Sequence, residues 1–144
     1  MENKDITILE EAIGLVEEGR KVIFPVNGVS MRPFIIGGQE SVELESPTAL
    51  GVGDVILAWV DNCRYVVHRI IAMTDDKIIL QGDGNVCGVE HCSTGDVKAK
   101  ITYVVDRHGR RRNLYTPWRR FAARLWYRLR PIRRYLLFIY RQIW

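Results

Sequence analysis

A chain of 144 residues, 47% hydrophobic and 26% charged, has the composition of one globular domain and excludes a disordered polypeptide. Its net charge of +4 conceals a division, because residues 1–106 sum to −8 whereas residues 107–144 hold 12 arginines and no carboxylate. The division predicts an acidic folded domain (residues 1–113) followed by a basic tail (residues 114–144) that has an anionic partner.

Targeting signals are not evident in the sequence. No long apolar segment follows the amino terminus, and no uninterrupted apolar run, Tyr135–Tyr140 included, exceeds six residues. We therefore predict neither a secretory signal nor a membrane span. Three cysteines without the spacing of a disulfide framework are typical of a reducing compartment, although two of them could pair. These features favour a cytoplasmic protein.

The first predicted element is an amphipathic helix over Ile6–Gly19. Apolar residues recur there at helical spacing with glutamates between them, and Asp5 and Gly19 suit its two ends. We expect this helix to pack beside a sheet. A strand-like run, Lys21–Val26, follows it.

A tight turn, Gly28-Val29-Ser30-Met31-Arg32-Pro33, comes next. Gly28 lets the backbone bend, and Pro33 keeps Arg32 out of helical geometry. A hydroxyl held on such a bend beside backbone N–H groups suits a nucleophile whose oxyanion those groups stabilise. A serine between glycine and proline is also ordinary turn chemistry, so the turn alone leaves both interpretations of Ser30 open.

Five further strands are predicted from short apolar stretches bounded by turn residues. They are Ser41–Glu45, Asp54–Val60, Arg64–Met73, Lys77–Gln81 and Asp96–Val105. Because no helix separates them, they favour an antiparallel sheet over βαβ units. The predicted fold class is mainly β, with an N-terminal helix and a C-terminal basic amphipathic helical tail.

His68 lies within one of these strands. Side chains alternate along a strand, so His68 is expected to share a face with Val66, Ile70 and Ala72. Apolar surroundings lower the pKa of an imidazole and keep it neutral, which suits a general base. The alternative is a core histidine whose ring nitrogens are satisfied locally.

The segment Gly82-Asp83-Gly84-Asn85 is a strong turn signal at the end of a strand. Asp83 either bonds its own backbone or orients the histidine. His91 and three cysteines (Cys63, Cys87 and Cys92) lack the spacing of a zinc finger or ribbon. We predict no metal and no other cofactor.

Four stretches of the chain resemble type I signal peptidases and the related SOS-repressor-type serine peptidases. Gly28–Pro33 is similar to their Ser-Met-x-Pro box, and Val52–Leu57 to their Gly-Asp-(Val/Ile)-Val strand. Val67-His68-Arg69-Ile70 resembles the Val-His-Arg box of the archaeal and endoplasmic-reticulum type, in which histidine replaces lysine as base. Gly82–Asn85 resembles the Gly-Asp-Asn-Asn turn. The resemblance covers roughly residues 20–105, in the family's order.

The resemblance implies a peptidase-like β fold in which Ser30 is the nucleophile and His68 the general base. The Ser30 backbone N–H would supply one oxyanion donor, whereas Gly28 occupies the position of the hydroxyl that often supplies the second. An acid lies a few residues beyond the Gly-Asp turn in the histidine-type enzymes. Asp83 and Glu90 are both candidates for that third member.

The chain also departs from the family, because we predict no N-terminal membrane span, no DNA-binding domain and find no Ala-Gly dipeptide for self-cleavage. We therefore predict a stand-alone endopeptidase that cleaves a leader or precursor peptide. The peptide would bind as an extended strand along a sheet edge near Ser30, and the resemblance implies small side chains before the cut. The alternative is a catalytically inactive peptide-binding or membrane-associated module on the same fold.

The tail from Pro117 reads as two amphipathic helical segments divided at Pro131. Apolar residues are expected on one face, at Trp118, Phe121, Ala122, Leu125, Trp126 and Leu129, continued by Ile132, Leu136, Ile139 and Ile143. Arginines cover the rest, which favours a helix on an anionic membrane surface and a peripheral location. The alternatives are packing on the acidic domain or an oligomer interface. Grouping of the apolar residues argues against a nucleic-acid partner.

Overall fold

The computed structural model describes residues 3–28, 30–85 and 88–143. Val29 and Cys87, which belong to two of the stretches discussed above, lie outside the described residues. The described helices are α1 (Asn3–Glu17), α2 (Pro117–Arg128) and α3 (Arg133–Ile143), with short 3-10 turns at Thr94–Asp96 and Arg130–Ile132. The described strands are β1 (Val22–Pro25), β2 (Ser41–Glu45), β3 (Val55–Val60), β4 (Arg64–Thr74), β5 (Lys77–Gln81), β6 (Glu90–Ser93), β7 (Val97–Val105) and β8 (Arg111–Asn113).

The strands form one curled antiparallel sheet in the order β1-β2-β7-β3-β4-β5-β6, with β8 also paired to β7. The predicted mainly β character is thereby confirmed, as are the N-terminal helix and helical structure at the C-terminus. Two strands, β6 and β8, were not predicted. Their sequences, Glu-His-Cys-Ser and Arg-Arg-Asn, carry no apolar alternation, and they are strands because a neighbour offers backbone hydrogen bonds.

Apolar residues fill two clusters that the alternation along the strands separates. Helix α1 buries Leu9, Ala12, Ile13 and Val16 in one cluster with residues such as Val42, Leu57 and Ile101. The other cluster contains Ile56, Val66, Ile70, Ile78, Leu80 and Val97. Neighbours on β3, such as Ile56 and Leu57, therefore belong to different clusters, as the period of two requires. The expectation that the first helix packs beside a sheet is confirmed.

Strand β8 is held to the sheet by charge as well as by backbone pairing. Arg111 donates to Glu43, with Nε 3.0 Å from Oε2, and Arg112 forms a bidentate pair with Glu40. Both carboxylates are buried. Arg111 and Arg112, from the arginine-rich residues 107–144, therefore neutralise acids of the N-terminal part, whereas the arginines further along have other surroundings.

The two C-terminal helices contact the sheet domain with one side only. Thr116 caps α2, accepting a hydrogen bond from Arg119 N, and Pro117 occupies its first turn. Leu137 is buried, and Trp126 turns towards the sheet domain, where its Nε1 donates to the carbonyl oxygen of Asp83 at 2.6 Å. Trp126 thus differs from the expectation that it shares an apolar face with Trp118, which is exposed. No helix in the described part of the chain is long and apolar enough to cross a membrane.

Candidate active site

The turn that carries Ser30 leaves edge strand β1 and is shaped by two glycines. Gly28 has φ +88°, a conformation that favours glycine. A Cβ on Gly37 would lie 2.0 Å from the carbonyl oxygen of Gly28, so a side chain there would push the two backbones apart. Met31 and Ile35 are buried and anchor the turn in the α1 cluster. Ser30 itself is half-buried at the surface of this anchored segment.

His68 lies near the middle of β4, opposite Ile56 of β3. Its side chain is only 4% exposed, on a strand whose residues are mostly apolar. Val66, His68 and Ile70 are all buried, as expected for one face of a strand. Pairing with β5 then shifts register between Ile70 and Ala72, so the regular alternation does not extend to Ala72.

Glu90 is the carboxylate that meets His68. Its Oε1 forms a hydrogen bond with His68 Nδ1, and both side chains are buried. The pairing arises from the sheet, because Glu90 on β6 lies opposite Leu80, and Leu80 lies opposite Ile70, two residues from His68. Glu90 and His68 therefore lie on the same face of the sheet, with β5 between their strands.

Burial lowers the pKa of His68 below its usual value. The Glu90 carboxylate opposes this effect, and Arg64 adds to it, but desolvation is the largest cause. A neutral imidazole that donates its Nδ1–H to Glu90 has Nε2 left as a proton acceptor. The site therefore contains a buried base in the form that can accept a proton.

The turn Gly82–Asn85 brings His68 and Ser30 together. Gly84 N donates to the Ser30 carbonyl oxygen at 2.7 Å. A Cβ on Gly82 would lie 2.3 Å from that same oxygen and 3.0 Å from His68 Nε2. The nitrogen of His68 that Glu90 leaves free therefore faces the main chain of Ser30 across a glycine.

Ser30, His68 and Glu90 line one cleft of about 880 Å³, which we term the large cleft. Its walls come from α1, β1 and β4, and its lining is mostly apolar. Among the described residues, the Ser30 hydroxyl forms no hydrogen bond with His68. Catalytic hydrogen bonds often tighten only when substrate binds, so the arrangement is compatible with a nucleophile and its base.

Asp83 has a different partner from Glu90. Both of its carboxylate oxygens accept hydrogen bonds from Arg69, at 2.9 Å from Nε and 2.8 Å from Nη2. Arg69 also donates to the carbonyl oxygen of Gly53 at 2.8 Å. Asp83 and Arg69 are both buried, so they form an internal ion pair. The pair fixes the Gly82–Asn85 turn against β4, and Asp83 forms no hydrogen bond with His68 among the described residues.

Arg69 is a residue of the site that sequence reasoning did not single out. An arginine inside a run of apolar strand residues was the available signal, because arginine is buried almost only when it is paired. Trp126 and Arg133 were also missed as neighbours of the turn. Their contacts join segments more than 40 residues apart, and no local pattern indicates them.

The residues considered for a metal site are dispersed. Cys63 is an exposed free thiol between β3 and β4, whereas His91 and the free thiol Cys92 lie on β6. Burial raises the pKa of the Cys92 thiol to about 11, which disfavours the thiolate that binds metals. Over residues 3–28, 30–85 and 88–143, no group of three or more potential ligands is arranged to hold a metal ion.

Comparisons with known protein families, with curated proteins and with solved structures found no match to this chain. The resemblance to signal peptidases therefore stays a prediction.

Proposed function

We propose that this chain is a serine endopeptidase of the signal-peptidase-like type that cleaves a leader or precursor peptide. The observation that carries the proposal is the buried His68, bonded through Nδ1 to Glu90, with Nε2 facing the Ser30 segment. In this assignment Ser30 is the nucleophile, His68 the general base and Glu90 the acid that orients the imidazole. Asp83 is a positioning residue that acts through Arg69.

In the proposed reaction, Ser30 Oγ forms a bond to the carbonyl carbon of the scissile peptide while its proton passes to His68 Nε2. The carbonyl π electrons move to oxygen, giving a tetrahedral oxyanion. When this collapses, the carbon–nitrogen bond breaks, and the amine leaves with the proton from Nε2. Water then attacks the Ser30 ester with His68 again as base, which releases the acid product and restores the hydroxyl. Glu90 stabilises the imidazolium that forms twice in the cycle.

The Ser30 backbone N–H is the proposed oxyanion donor, because it donates to no other described residue. Gly28, two residues earlier, has no side chain to supply a second donor. Asn85 lines the large cleft beside His68, and its side-chain nitrogen lies 2.9 Å from the Cβ position of Gly82. We assign the second donor to the Asn85 amide.

The substrate would bind as an extended strand beside β1. This strand is at the edge of the sheet, leads into the Ser30 turn, and lines the large cleft, with Ile23 58% exposed. Strand pairing uses the backbone N–H of every second residue. We therefore expect N-methylation of a substrate peptide, scanned residue by residue, to block cleavage at alternate positions before the cut. Equal tolerance at all positions would contradict binding at this edge.

Reaction with a fluorophosphonate tests the enzyme directly, because it labels activated serines regardless of the substrate. We expect the probe to label Ser30, and Ser30→Ala should abolish the labelling. His68→Ala should reduce labelling and turnover by similar factors, since such groups act as a unit. Ser46→Ala, at an exposed serine that does not line the large cleft, is the matched control. Peptides that accumulate in cells carrying only the Ser30→Ala protein would then identify the substrate.

The second candidate function is a peptide-binding module without catalysis. It is favoured by the absence of a Ser30–His68 hydrogen bond among the described residues and by glycine at position 28. Such a module would bind extended peptides in the large cleft yet leave Ser30 unlabelled. Peptide binding that survives Ser30→Ala, together with no labelling of the wild-type chain, would select it.

A further inference from the structure

Helices α2 and α3 each expose apolar side chains that no described element covers. On α2 the exposed residues include Trp118 (74% exposed), Phe121 and Leu125, which fall on one side of the helix at helical spacing. On α3 the exposed apolar residues are Tyr135, Phe138 and Ile139. Exposed side chains of this size, on two helices that follow one another in the chain, mark an interaction surface.

A row of arginines runs beside the apolar residues of α2. Arg120, Arg124 and Arg128 succeed one another every four residues and therefore lie along one side of the helix, next to Phe121 and Leu125. Together with Val52 and Gly53 of the loop before β3, these arginines line a cleft of about 210 Å³, which we term the arginine cleft. The apolar row and the cationic row are thus neighbours on one helix.

The positive charge of this surface is not neutralised from within. No arginine of α2 or α3 whose side chain is described forms a salt bridge with a carboxylate, in contrast to Arg111 and Arg112. Arg120 donates to the carbonyl oxygen of Tyr115, and Arg133 to other neutral acceptors. Among the described side chains, no carboxylate of the acidic part therefore forms an ion pair with these helices.

We infer that α2 and α3 bind the surface of an anionic lipid bilayer, with the aromatic side chains among the acyl chains and the arginines at the phosphates. A bilayer presents an apolar layer next to a layer of anionic phosphates, which matches the neighbouring apolar and cationic rows of α2. The arginine cleft would hold a lipid phosphate between Arg124 and Arg128. A second copy fits less well, because a symmetric dimer would place this face, with its uncompensated arginines, against itself. This inference does not depend on the peptidase chemistry.

The experiment is sedimentation of the full chain with vesicles of phosphatidylglycerol and phosphatidylcholine, and with vesicles of phosphatidylcholine alone. We expect binding to the anionic vesicles that weakens as salt is added. Arg124→Gln/Arg128→Gln should reduce that binding about 25-fold, because each arginine contributes roughly fivefold near an anionic surface. The control, Arg107→Gln/Arg110→Gln, removes the same charge from the exposed loop between β7 and β8 and should bind like wild type.

Phe121→Ser/Phe138→Ser tests the apolar contribution, and we expect about a tenfold or greater loss. Ile8→Ser, at an exposed position of α1, is its control. Thermal unfolding of each variant establishes that it is folded, and if the phenylalanine pair does not fold, the arginine pair decides.

Four results would overturn the inference. They are no vesicle binding by the wild type, equal losses in the two arginine pairs, self-association that Phe121→Ser/Phe138→Ser abolishes without lipid, and binding of inorganic phosphate at the arginine cleft without vesicle binding. The third would assign the face to a second copy, and the fourth would assign the cleft to a soluble anion.

Discussion

The two carboxylates near the candidate site differ in what they contact, although both follow the histidine strand closely in sequence. Glu90 bonds His68, whereas Asp83 is occupied on both oxygens by Arg69. The reason lies in β4, where His68 and Arg69 are consecutive and leave the strand in opposite directions. A carboxylate that reaches one of them is therefore not placed to bond the other.

The protonation of His68 provides a pH prediction. Because burial lowers the pKa of His68, the fluorophosphonate labelling rate should fall on acidification with a midpoint below pH 6.5, the usual imidazole value. The labelling rate falls on acidification because the imidazole must be neutral to accept the Ser30 proton. Labelling that declines with a midpoint above 6.5 would contradict the assignment of His68 as the base.

Glu90→Gln and Asp83→Asn separate the two acids. Glu90→Gln should slow labelling by a factor on the order of 10³–10⁴ and move the midpoint to still lower pH, because the carboxylate favours the imidazolium. Asp83→Asn should leave the buried Arg69 unpaired and lower the free energy of unfolding by about 3–5 kcal/mol. Urea unfolding measures the change in the free energy of unfolding, and the pH profile of labelling measures the rate and its midpoint. If Asp83→Asn moves the pH midpoint and Glu90→Gln does not, the roles are reversed.

At the scale of elements, the Gly82–Asn85 turn is the point at which the site is assembled. Gly84 N of this turn donates to the Ser30 carbonyl oxygen, and Trp126 of α2 donates to the carbonyl oxygen of Asp83. A Cβ on Gly82 would lie 3.0 Å from His68 Nε2, so the turn also passes close to the imidazole. It also pairs with Arg69 on β4 through Asp83. Displacement of this turn would therefore move the nucleophile relative to its base.

Gly82→Ala should displace the Gly82–Asn85 turn. The added Cβ would lie 2.3 Å from the Ser30 carbonyl oxygen, a backbone atom that cannot rotate away. A shift of about 1 Å in a catalytic group costs on the order of 10²-fold in rate, and we expect such a loss in fluorophosphonate labelling. Gly51→Ala is the matched control, because a Cβ there meets nothing within 4 Å. Unchanged labelling in Gly82→Ala would show that the turn does not position Ser30.

Elements with apolar periodicity could be predicted from the sequence, and those defined by pairing could not. Residues 41–45 and 77–81 carry the strand pattern themselves, and the observed strands have these bounds. Strand β6 consists of polar residues and forms because β5 offers an edge. Since Glu90 lies on β6, its approach to His68 depended on a register that no local pattern encodes. The same holds for Trp126, whose partner lies 43 residues away.

At the scale of the whole molecule, the division of charge has two structural consequences. Arg111 and Arg112 neutralise buried acids and pair β8 with β7, so the first part of the arginine-rich residues 107–144 belongs to the sheet. In the helices that follow, no described arginine side chain pairs with a carboxylate, and most of the aromatic residues are exposed. The inner side of these helices, however, contacts the turn at the candidate site. The C-terminal helices therefore have an exposed side that carries aromatic residues and arginines, and an inner side that contacts the Gly82–Asn85 turn.

Arg133 tests whether the C-terminal helices position the site. Its guanidinium is buried and donates to Gln81 Oε1 at 3.2 Å and to the carbonyl oxygen of Asn85 at 3.0 Å. Arg133→Met leaves these acceptors unsatisfied, so the free energy of unfolding should fall by about 1–3 kcal/mol. Fluorophosphonate labelling of the folded variant should also slow, because the turn that bonds Ser30 loses its support.

Arg134→Met is the matched control, since Arg134 is exposed and contacts only Tyr135 of its own helix among the described residues. It should match the wild type in unfolding and in labelling. Arg133→Lys keeps the charge and should restore part of the labelling rate. Arg133→Met with reduced stability but wild-type labelling would show that α3 stabilises the fold without positioning the nucleophile. If Arg133→Met and Arg134→Met slow labelling by similar factors, the effect would instead be attributed to the loss of net charge.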